Sequence, residues 1–145
     1  MEIGDLCSRE VYIVRRDDPL ADAVREMHRR HVGAVVVVEP RGKLLCPIGI
    51  VTDRDVLRGQ ISLHSDVFSL KVQDVMTLDP LTLSETCGLA EGISQLRARG
   101  VRRAPVVSAL GDLVGIVSFD DLLPAVSEEL AVLAKLIDRQ ATEEA

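Results

Sequence analysis

Aromatic residues are nearly absent from this sequence, which also has no apolar run long enough to cross a membrane. Its only aromatic residues are Tyr12, Phe68 and Phe119, and there is no tryptophan. Proteins that bind single-stranded nucleic acid usually stack the bases on aromatic side chains, so this scarcity argues against that class. The longest apolar stretch, residues 32–38, has seven residues, whereas a transmembrane helix needs about 20. We therefore expect neither a membrane protein nor a nucleic-acid-binding protein.

The sequence also has few cysteines and an excess of acidic residues. Cys7, Cys46 and Cys87 are isolated and odd in number, which predicts neither a disulfide framework nor a zinc site and favours small buried apolar side chains. His28 and His31 could meet on one helix face, but no carboxylate-rich segment completes a metal site. The net charge of −6 argues against a broad interface with nucleic-acid phosphates. We expect no metal and no catalytic cofactor.

Composition and the N-terminus indicate the compartment and the size of the fold. The first residues lack the basic start and the apolar segment of a secretory signal, so we expect a cytoplasmic protein. With 47% hydrophobic and 28% charged residues, a chain of 145 residues can bury a core of useful size. These values predict one globular fold.

An internal repeat divides the chain. Three segments of the first half recur 69 positions later, and a fourth recurs 66 positions later. The matched pairs are residues 3–8 and 72–77, 20–24 and 89–93, 35–38 and 104–107, and 49–55 and 115–121. The change in spacing falls in a turn, where insertions are tolerated. We predict a first repeat with its connector over residues 1–71, a second repeat over residues 72–123, and a C-terminal amphipathic helix with an acidic tail over residues 124–145.

Each repeat has the same predicted order of elements: strand, helix, strand, strand, helix. The valine-rich segment, residues 34–38, predicts a strand that is buried on both faces. A unit of fewer than about 70 residues has a thin core of its own, so we expect the repeats to pack on each other in an α/β (α+β) fold. In the tail, Val126, Leu130, Leu133 and Ile137 lie at helical spacing. They pack either on the chain's own core or against a second copy in a homodimer.

The best-matched part of the repeat is the corner where a strand enters a helix, Thr52-x-x-Asp55 in the first copy and Ser118-x-x-Asp121 in the second. A hydroxyl at a helix N-terminus, beside unpaired N–H groups and the positive end of the helix dipole, can bind a phosphate. A carboxylate three residues later can accept two hydrogen bonds from a vicinal diol such as that of ribose. The corner is therefore suited to a ribose phosphate.

The same spacing is also typical of a capping box, in which both side chains only satisfy backbone N–H groups. Two features favour a ligand. Capping boxes prefer Glu or Gln at the last position, whereas both copies have Asp at that place. In addition, a glycine followed by two apolar residues precedes both motifs, at Gly49 and Gly115, and capping does not require these residues.

These motifs resemble the CBS domain, a family named for cystathionine β-synthase, whose members occur in tandem pairs called Bateman modules. The resemblance rests on residues 49–57 and 102–107 with their spacing, and it covers about residues 3–123. It implies two β-α-β-β-α units that are related by a pseudo-twofold axis and packed into one module, here followed by a C-terminal helix. It also implies two clefts that bind AMP, ADP, ATP or S-adenosylmethionine as a regulatory ligand, and disc-shaped dimers.

The resemblance further implies eight ligand-binding residues. They comprise two ribose carboxylates, two phosphate hydroxyls, three arginines near the phosphates and one residue near the adenine: Asp55 and Asp121, Thr52 and Ser118, Arg54, Arg102 and Arg103, and Thr82. The first copy has Gly33 and Ala34 at the positions of the paired arginines, and Ile13 at the position of Thr82. We therefore expect the two clefts to differ in phosphate preference. A solvated basic face is the alternative interpretation of the arginines.

The leading functional hypothesis is a stand-alone regulatory sensor that binds an adenosine ligand and signals to an unknown effector protein. The doubled corner motif favours this hypothesis. Because no catalytic constellation and no fused effector domain are evident, we do not expect an enzyme. The alternative is a ligand-free scaffold that dimerises and docks on a partner through its sheet edges and its C-terminal helix. A nucleotide hydrolase is the weakest hypothesis, because no pair of carboxylates for a metal is evident.

Overall fold

The chain forms two mixed sheets, one from each repeat, with helices around them. The computed structural model describes the backbone of residues 1–144 and the side chains of residues 1–142. The helices are α1 (Ile3–Leu6), α2 (Leu20–Arg30), α3 (Asp53–Leu63), α4 (Val72–Val75), α5 (Leu89–Arg99) and α6 (Phe119–Glu144). The strands are β1 (Ile13–Val14), β2 (Ala34–Arg41), β3 (Leu44–Thr52), β4 (Thr77–Leu78), β5 (Leu83–Ser84), β6 (Arg103–Val107) and β7 (Leu113–Ser118). This mixed architecture confirms the predicted α+β class.

The same pairing pattern recurs in the two sheets, whose strand orders are β1-β2-β3-β4 and β5-β6-β7. β1 runs parallel to β2, and β2 runs antiparallel to β3. In the second sheet, β5 runs parallel to β6, and β6 runs antiparallel to β7. A register shift also falls at equivalent places, between Val37 and Val38 and between Val106 and Val107. The sequence repeat is therefore a repeat of structure.

The valine-rich strand β2 is buried on both faces, as predicted. Residues 35–38 are at most 1% exposed. Val35 and Val37 pack in the first core, which includes the inner face of α2. Val36 lies between them and is not part of that core, as the alternation of side chains along a strand requires. The repeats meet where β3 lies against β7.

The leading segment of each repeat packs into the core of the other repeat. Ile3 of α1 is fully buried in the second core, which is built around α5, β6 and β7, and its N–H donates to the Cys87 carbonyl oxygen at 2.8 Å. Val72 of α4 is fully buried in the first core, and its N–H donates to the Asp18 carbonyl oxygen at 2.9 Å. Residues 1–71 and 72–123 therefore each contribute to both cores.

The repeated motif glycines lie where these exchanged segments cross the sheets. A Cβ atom at Gly115 would lie 2.6 Å from the Ser8 carbonyl oxygen, and one at Gly49 would lie 3.1 Å from the Thr77 carbonyl oxygen. The close approach of the backbone requires a residue without a side chain. The recurrence of this glycine thus has a packing cause and does not by itself favour a ligand.

We predict that Gly115→Ala lowers the free energy of unfolding by about 1–3 kcal/mol, because the added methyl group displaces the Ser8 backbone. Gly88→Ala is the matched control, since nothing lies within 4 Å of a Cβ atom built at Gly88. Gly88 is the N-cap of α5, so we expect this variant to lose less than about 1 kcal/mol, through the preference of an N-cap for glycine over alanine. Urea unfolding measures both variants, and equal destabilisation would contradict the packing explanation.

Helix α6 is continuous and contains Pro124. The sequence predicted a short helix before Pro124 and a separate tail helix after it. Pro124 lies in the second turn, where it removes the hydrogen bond that residue 124 would donate to the Asp120 carbonyl oxygen, and the helix continues past it. Leu122 and Ala125 are its last buried side chains, and all side chains of residues 126–142 are exposed. The described part of the tail therefore does not pack on the chain's own core.

The described residues contain neither a helix that is long and apolar enough to span a membrane nor a cluster of three or more His, Cys, Asp or Glu side chains that could hold a metal ion. His28 lies in the last turn of α2, and His31 ends that helix in a left-handed conformation. Both histidines thus occupy a helix end. The predicted acidic tip, residues 143–145, lies outside the described side chains.

Candidate ligand-binding clefts

Two clefts lie where the repeats meet, and each combines a corner of one repeat with a loop of the other. Cleft A has a volume of about 410 Å³, and cleft B has a volume of about 240 Å³. Cleft A is lined by residues that include Thr52, Asp55, Thr77, Val101, Arg102 and Arg103. The equivalent residues of the repeat line cleft B: Ser118, Asp121, Ser8, Val32, Gly33 and Ala34. The internal symmetry therefore relates the two clefts.

The Thr52 corner of cleft A is a closed capping box at the start of α3. The Asp55 N–H donates to Thr52 Oγ1 at 3.1 Å, and the Thr52 N–H donates to Asp55 Oδ2 at 2.9 Å. Capping thus occurs although the last residue of the box is Asp. Within the described part of the chain, Asp55 Oδ1 accepts no hydrogen bond. One carboxylate oxygen caps the helix, and the other remains available to a ligand.

The Ser118 corner of cleft B uses its hydroxyl differently. The Ser118 N–H donates to Asp121 Oδ2 at 2.8 Å, and Ser118 Oγ donates to the same oxygen at 3.1 Å. In cleft A, by contrast, Thr52 Oγ1 accepts a hydrogen bond and keeps its own proton for another acceptor. The Thr52 hydroxyl is therefore ready to donate to a phosphate oxygen, whereas the Ser118 hydroxyl would first have to leave Asp121.

The charged side chains also differ between the clefts. Cleft A is lined by three arginines and three aspartates: Arg54, Arg102 and Arg103, with Asp53, Asp55 and Asp120. Cleft B is lined by Glu10 and Asp121, and it shares Arg103 with cleft A. Cleft A has the guanidinium groups that an anionic ligand requires, and the lining of cleft B has an excess of negative charge.

Arg103 connects the two clefts. Its Nη1 donates to the Gly33 carbonyl oxygen at 3.0 Å, across the interface between the repeats. The same carbonyl oxygen accepts the Asp53 N–H at 3.1 Å, at the start of α3. A Cβ atom at Gly33 would lie 3.4 Å from Arg103 Nη1, which is an ordinary van der Waals contact, so the position of the guanidinium group does not depend on the glycine. Arg103 thus ties the loop of cleft B to the helix start of cleft A.

The structure places seven of the eight sequence-predicted residues in the lining of a cleft. Thr52, Arg54, Asp55, Arg102 and Arg103 line cleft A, Asp121 lines cleft B, and both Arg103 and Ser118 line both clefts. Thr82 is the exception. It is half-buried just before β5 and is not among the lining residues of either cleft.

Sequence reasoning missed several residues of the clefts. Phe119 lies at cleft A, where the Arg102 guanidinium carbon is 5.4 Å from the centroid of its ring. Tyr12 lies at cleft B, and the Arg30 guanidinium carbon is 4.9 Å from its ring centroid. Ser8 and Thr77 carry hydroxyl groups at equivalent positions of the repeat. This repeated hydroxyl could have been found from the sequence. Its position at the clefts, however, follows only from the exchange of the leading segments between the repeats.

The cysteines have the environment of apolar side chains. Cys46 is buried, and Cys7 and Cys87 are half-buried. Burial is the main cause that raises the pKa of the Cys7 thiol and the pKa of the Cys87 thiol above the ordinary value. A raised pKa leaves little of the reactive thiolate at neutral pH. These two thiols are therefore poorly suited to act as nucleophiles beside the clefts.

The family of the chain follows from both halves of the repeat. The family model of the CBS domain matches residues 3–62 and residues 72–128, and each match contains one of the two corners. The chain belongs to the CBS-domain family. Because the model matches twice, the chain is a tandem CBS pair, or Bateman module, with the pseudo-twofold arrangement that the sequence resemblance implied.

Relatives share the CBS pair and differ in length. The chain is 32% identical over 121 residues to the uncharacterized protein YlbB of Bacillus subtilis. This alignment covers 83% of this chain and 79% of YlbB. The chain is 27% identical over 123 residues to an uncharacterized protein of Methanopyrus kandleri, which covers 85% of this chain and 61% of that protein. A solved structure, the crystal structure of CBSX2 in complex with AMP, has the same fold with a TM-score of 0.73. Its sequence is 26% identical to this one, and the match covers 88% of this chain and 96% of that chain.

Proposed function

We propose that this CBS pair is a cytoplasmic regulatory sensor, not an enzyme, that binds adenosine-containing ligands and signals to an effector protein. One observation carries the proposal: cleft A gathers the Thr52 hydroxyl, the Asp55 carboxylate and the arginine pair of the opposite repeat around one space. The candidate ligands are AMP, ADP, ATP and S-adenosylmethionine. The AMP complex of CBSX2, which has the same fold, supports an adenosine ligand.

In cleft A, the ribose is assigned to Asp55 and the phosphates to Thr52 and the arginines. Asp55 Oδ1 can accept hydrogen bonds from the ribose hydroxyls while Oδ2 continues to cap α3. The Thr52 hydroxyl can donate to a phosphate oxygen, and the N-terminus of α3 adds the positive end of its dipole. The adenine would lie among apolar lining residues such as Ile50 and Val101.

The two clefts are expected to prefer ligands of different charge. Cleft A offers three guanidinium groups and a hydroxyl that is ready to donate. In cleft B, the Ser118 hydroxyl is held by Asp121, and Glu10 adds a second carboxylate. We therefore assign the di- and triphosphates to cleft A, and an adenosine ligand with little or no negative charge to cleft B.

We predict that adenosine nucleotides raise the melting temperature of the chain. A ligand at a hundred times its Kd stabilises the fold by about 2.7 kcal/mol, which corresponds to a shift of about 5–10 °C for a domain of this size. Differential scanning calorimetry suits a chain without tryptophan, and cytidine nucleotides are the control ligands. The absence of a shift with millimolar AMP, ADP, ATP and S-adenosylmethionine would contradict the proposal.

A ligand-free interaction scaffold is the second candidate function. The exposed apolar side chains of α6 favour it, as does the equal number of arginines and aspartates in the lining of cleft A. The two functions are separated by truncating the chain after Val126, which keeps the buried Leu122 and Ala125. A scaffold predicts loss of self-association on truncation and no response to nucleotides in either form, whereas a sensor predicts a nucleotide response in the full chain.

A further inference from the structure

Arg103 is a charged side chain that the two clefts share. It is the first residue of β6, is half-buried, and lines both cleft A and cleft B. Its Nη1 donates to the Gly33 carbonyl oxygen at 3.0 Å, and Gly33 lines cleft B. A guanidinium group has further N–H donors, but it is one rigid plane. A phosphate that draws this plane into cleft A therefore lengthens the hydrogen bond on the side of cleft B.

This hydrogen bond breaks the internal symmetry of the chain. The Arg102 carbonyl oxygen is the equivalent of the Gly33 carbonyl oxygen in the second repeat, and it accepts the Phe119 N–H at 2.7 Å. The equivalent of Arg103 in the first repeat is Ala34, whose methyl group cannot donate a hydrogen bond. The tie between the repeats therefore runs in one direction only, from the second repeat to the loop of cleft B.

The Gly33 carbonyl oxygen can release Arg103 without becoming unsatisfied. The same oxygen accepts the Asp53 N–H at 3.1 Å, so one donor remains when the guanidinium group leaves. This matters because a buried carbonyl group that loses its last donor is costly. A phosphate oxygen also attracts the guanidinium group more strongly than a neutral carbonyl oxygen does, since it carries a negative charge. The exchange of one acceptor for the other is therefore favourable when a phosphate is within reach.

Cleft A also needs the positive charge of Arg103 when it holds an anion. Its lining includes the carboxylates of Asp53, Asp55 and Asp120, and these groups repel a phosphate. A guanidinium group that moves toward the phosphate offsets part of this repulsion. The charges of cleft A thus pull Arg103 in the same direction as the phosphate does, away from the Gly33 carbonyl oxygen.

We infer that a phosphate group in cleft A withdraws Arg103 from the Gly33 carbonyl oxygen and thereby weakens the binding of adenosine to cleft B. This inference rests on the proposed function and adds a regulation to it, because a polyphosphate ligand in one cleft lowers the occupancy of the other. Coupling between two sites is reciprocal, so adenosine in cleft B weakens phosphate binding in cleft A by the same factor. The net contribution of one hydrogen bond predicts a factor of about 2 to 10.

Isothermal titration calorimetry with adenosine and inorganic triphosphate tests the coupling. Asp55→Ala is the parent variant, because it lacks the carboxylate assigned to the ribose in cleft A and adenosine then reports on cleft B. Saturating triphosphate should raise the Kd for adenosine about 2- to 10-fold. Sodium chloride at the same ionic strength controls for screening and should leave this Kd unchanged. A Kd for adenosine that stays the same or falls when triphosphate is bound would overturn the inference.

Adding Arg103→Met to the parent variant tests whether this residue carries the coupling. The added substitution should raise the Kd for adenosine by the same factor without any anion. Triphosphate, at a concentration that its own titration shows to be saturating, should then have no further effect. Arg99→Met is the matched control, since Arg99 donates to the Asp79 carbonyl oxygen and lines neither cleft; its response to triphosphate should equal that of the parent. Urea unfolding checks that each variant is folded, and a response that persists without Arg103 would overturn its role.

Hydrogen exchange tests the movement of Arg103 without adenosine. Triphosphate bound to the wild-type chain should speed the exchange of the amides of residues 31–34, which is opposite to the slowing that a bound ligand otherwise causes. Arg103→Met should show the faster exchange without any anion. If adenosine did not bind, the proposed function of cleft B would be wrong, and hydrogen exchange would still decide the coupling. Unchanged exchange in a chain that binds triphosphate, or no binding of triphosphate at all, would overturn the inference.

Discussion

Replacing Asp55 with alanine is expected to weaken binding of phosphorylated adenosine ligands to cleft A by at least about 100-fold. The carboxylate is assigned two hydrogen bonds from the ribose, and each hydrogen bond to a charged group contributes about 1.5–3 kcal/mol. The substitution also removes the half of the capping box that Asp55 provides, the hydrogen bond from the Thr52 N–H, which costs about 0.5–1.5 kcal/mol of stability, whereas the Thr52 hydroxyl still caps α3. Isothermal titration calorimetry measures the affinity, and a urea titration measures the stability.

Asp74→Ala separates the two effects of the Asp55 substitution. Asp74 makes the same cap, since its Oδ2 accepts the Lys71 N–H at 2.8 Å, but it lies outside both clefts. We expect this variant to lose some stability and to bind nucleotides as the wild type does. Equal losses of affinity in the two variants would mean that Asp55 acts through the fold, and unchanged binding by Asp55→Ala would refute the ribose assignment.

Replacing Arg103 with methionine is expected to lower the affinity for ATP by about 10- to 100-fold, because one charge-assisted hydrogen bond to the phosphates is lost. The same variant should weaken the binding of uncharged adenosine to cleft B by a smaller factor, because the Gly33 loop loses the hydrogen bond from Nη1. The Gly33 carbonyl oxygen keeps the Asp53 N–H as a donor, so the fold should persist. Titrations with ATP and with adenosine separate the phosphate contribution from the rest.

Arg99→Met is the matched control for Arg103. Arg99 Nη2 donates to the Asp79 carbonyl oxygen at 2.8 Å, and the side chain lines neither cleft. Its removal should leave the affinities for ATP and adenosine unchanged. If Arg99→Met lowered ATP affinity as much as Arg103→Met does, the arginines would be a solvated basic face with a general effect on anions. If Arg103→Met lowered both affinities equally, its role would not be phosphate recognition.

The internal repeat predicted the fold because its matched residues are the ones that fill the core or start and end secondary-structure elements. No polar residue interrupts the valines of residues 35–38, and a strand with that composition is stable only when both faces are buried. The two corners were also predictable, since a hydroxyl and a carboxylate three residues apart start a helix whether or not they bind a ligand. The same property explains why the sequence left the capping and ligand roles open, and in the structure Asp55 is free to serve both.

The exchange of the leading segments could not be predicted from the sequence. Ile3 and Val72 occupy equivalent positions in two similar repeats, so the hydrophobic pattern fits either core equally well. The choice depends on the path of the backbone and on contacts such as the one between Ile3 and Cys87. For the same reason, Ser8 and Tyr12 were missed as residues of cleft B, and Thr82 was expected at a cleft whose lining does not include it.

The continuity of α6 was also beyond the sequence pattern. A proline usually marks a helix boundary, but at Pro124 only one backbone hydrogen bond is lost, near the start of a long helix. The apolar spacing continues through it from Phe119 to Ile137. That regular spacing, rather than the position of the proline, is the better predictor of this helix.

A crystal structure of the chain grown with saturating ATP tests the central claim most directly. The account predicts ATP in cleft A, with the ribose hydroxyls donating to Asp55 Oδ1 and the phosphates bound by Thr52, Arg102 and Arg103. Cleft B should then be empty or hold a ligand with less negative charge. An empty cleft A at saturating ATP, or ATP bound elsewhere on the surface, would contradict the account.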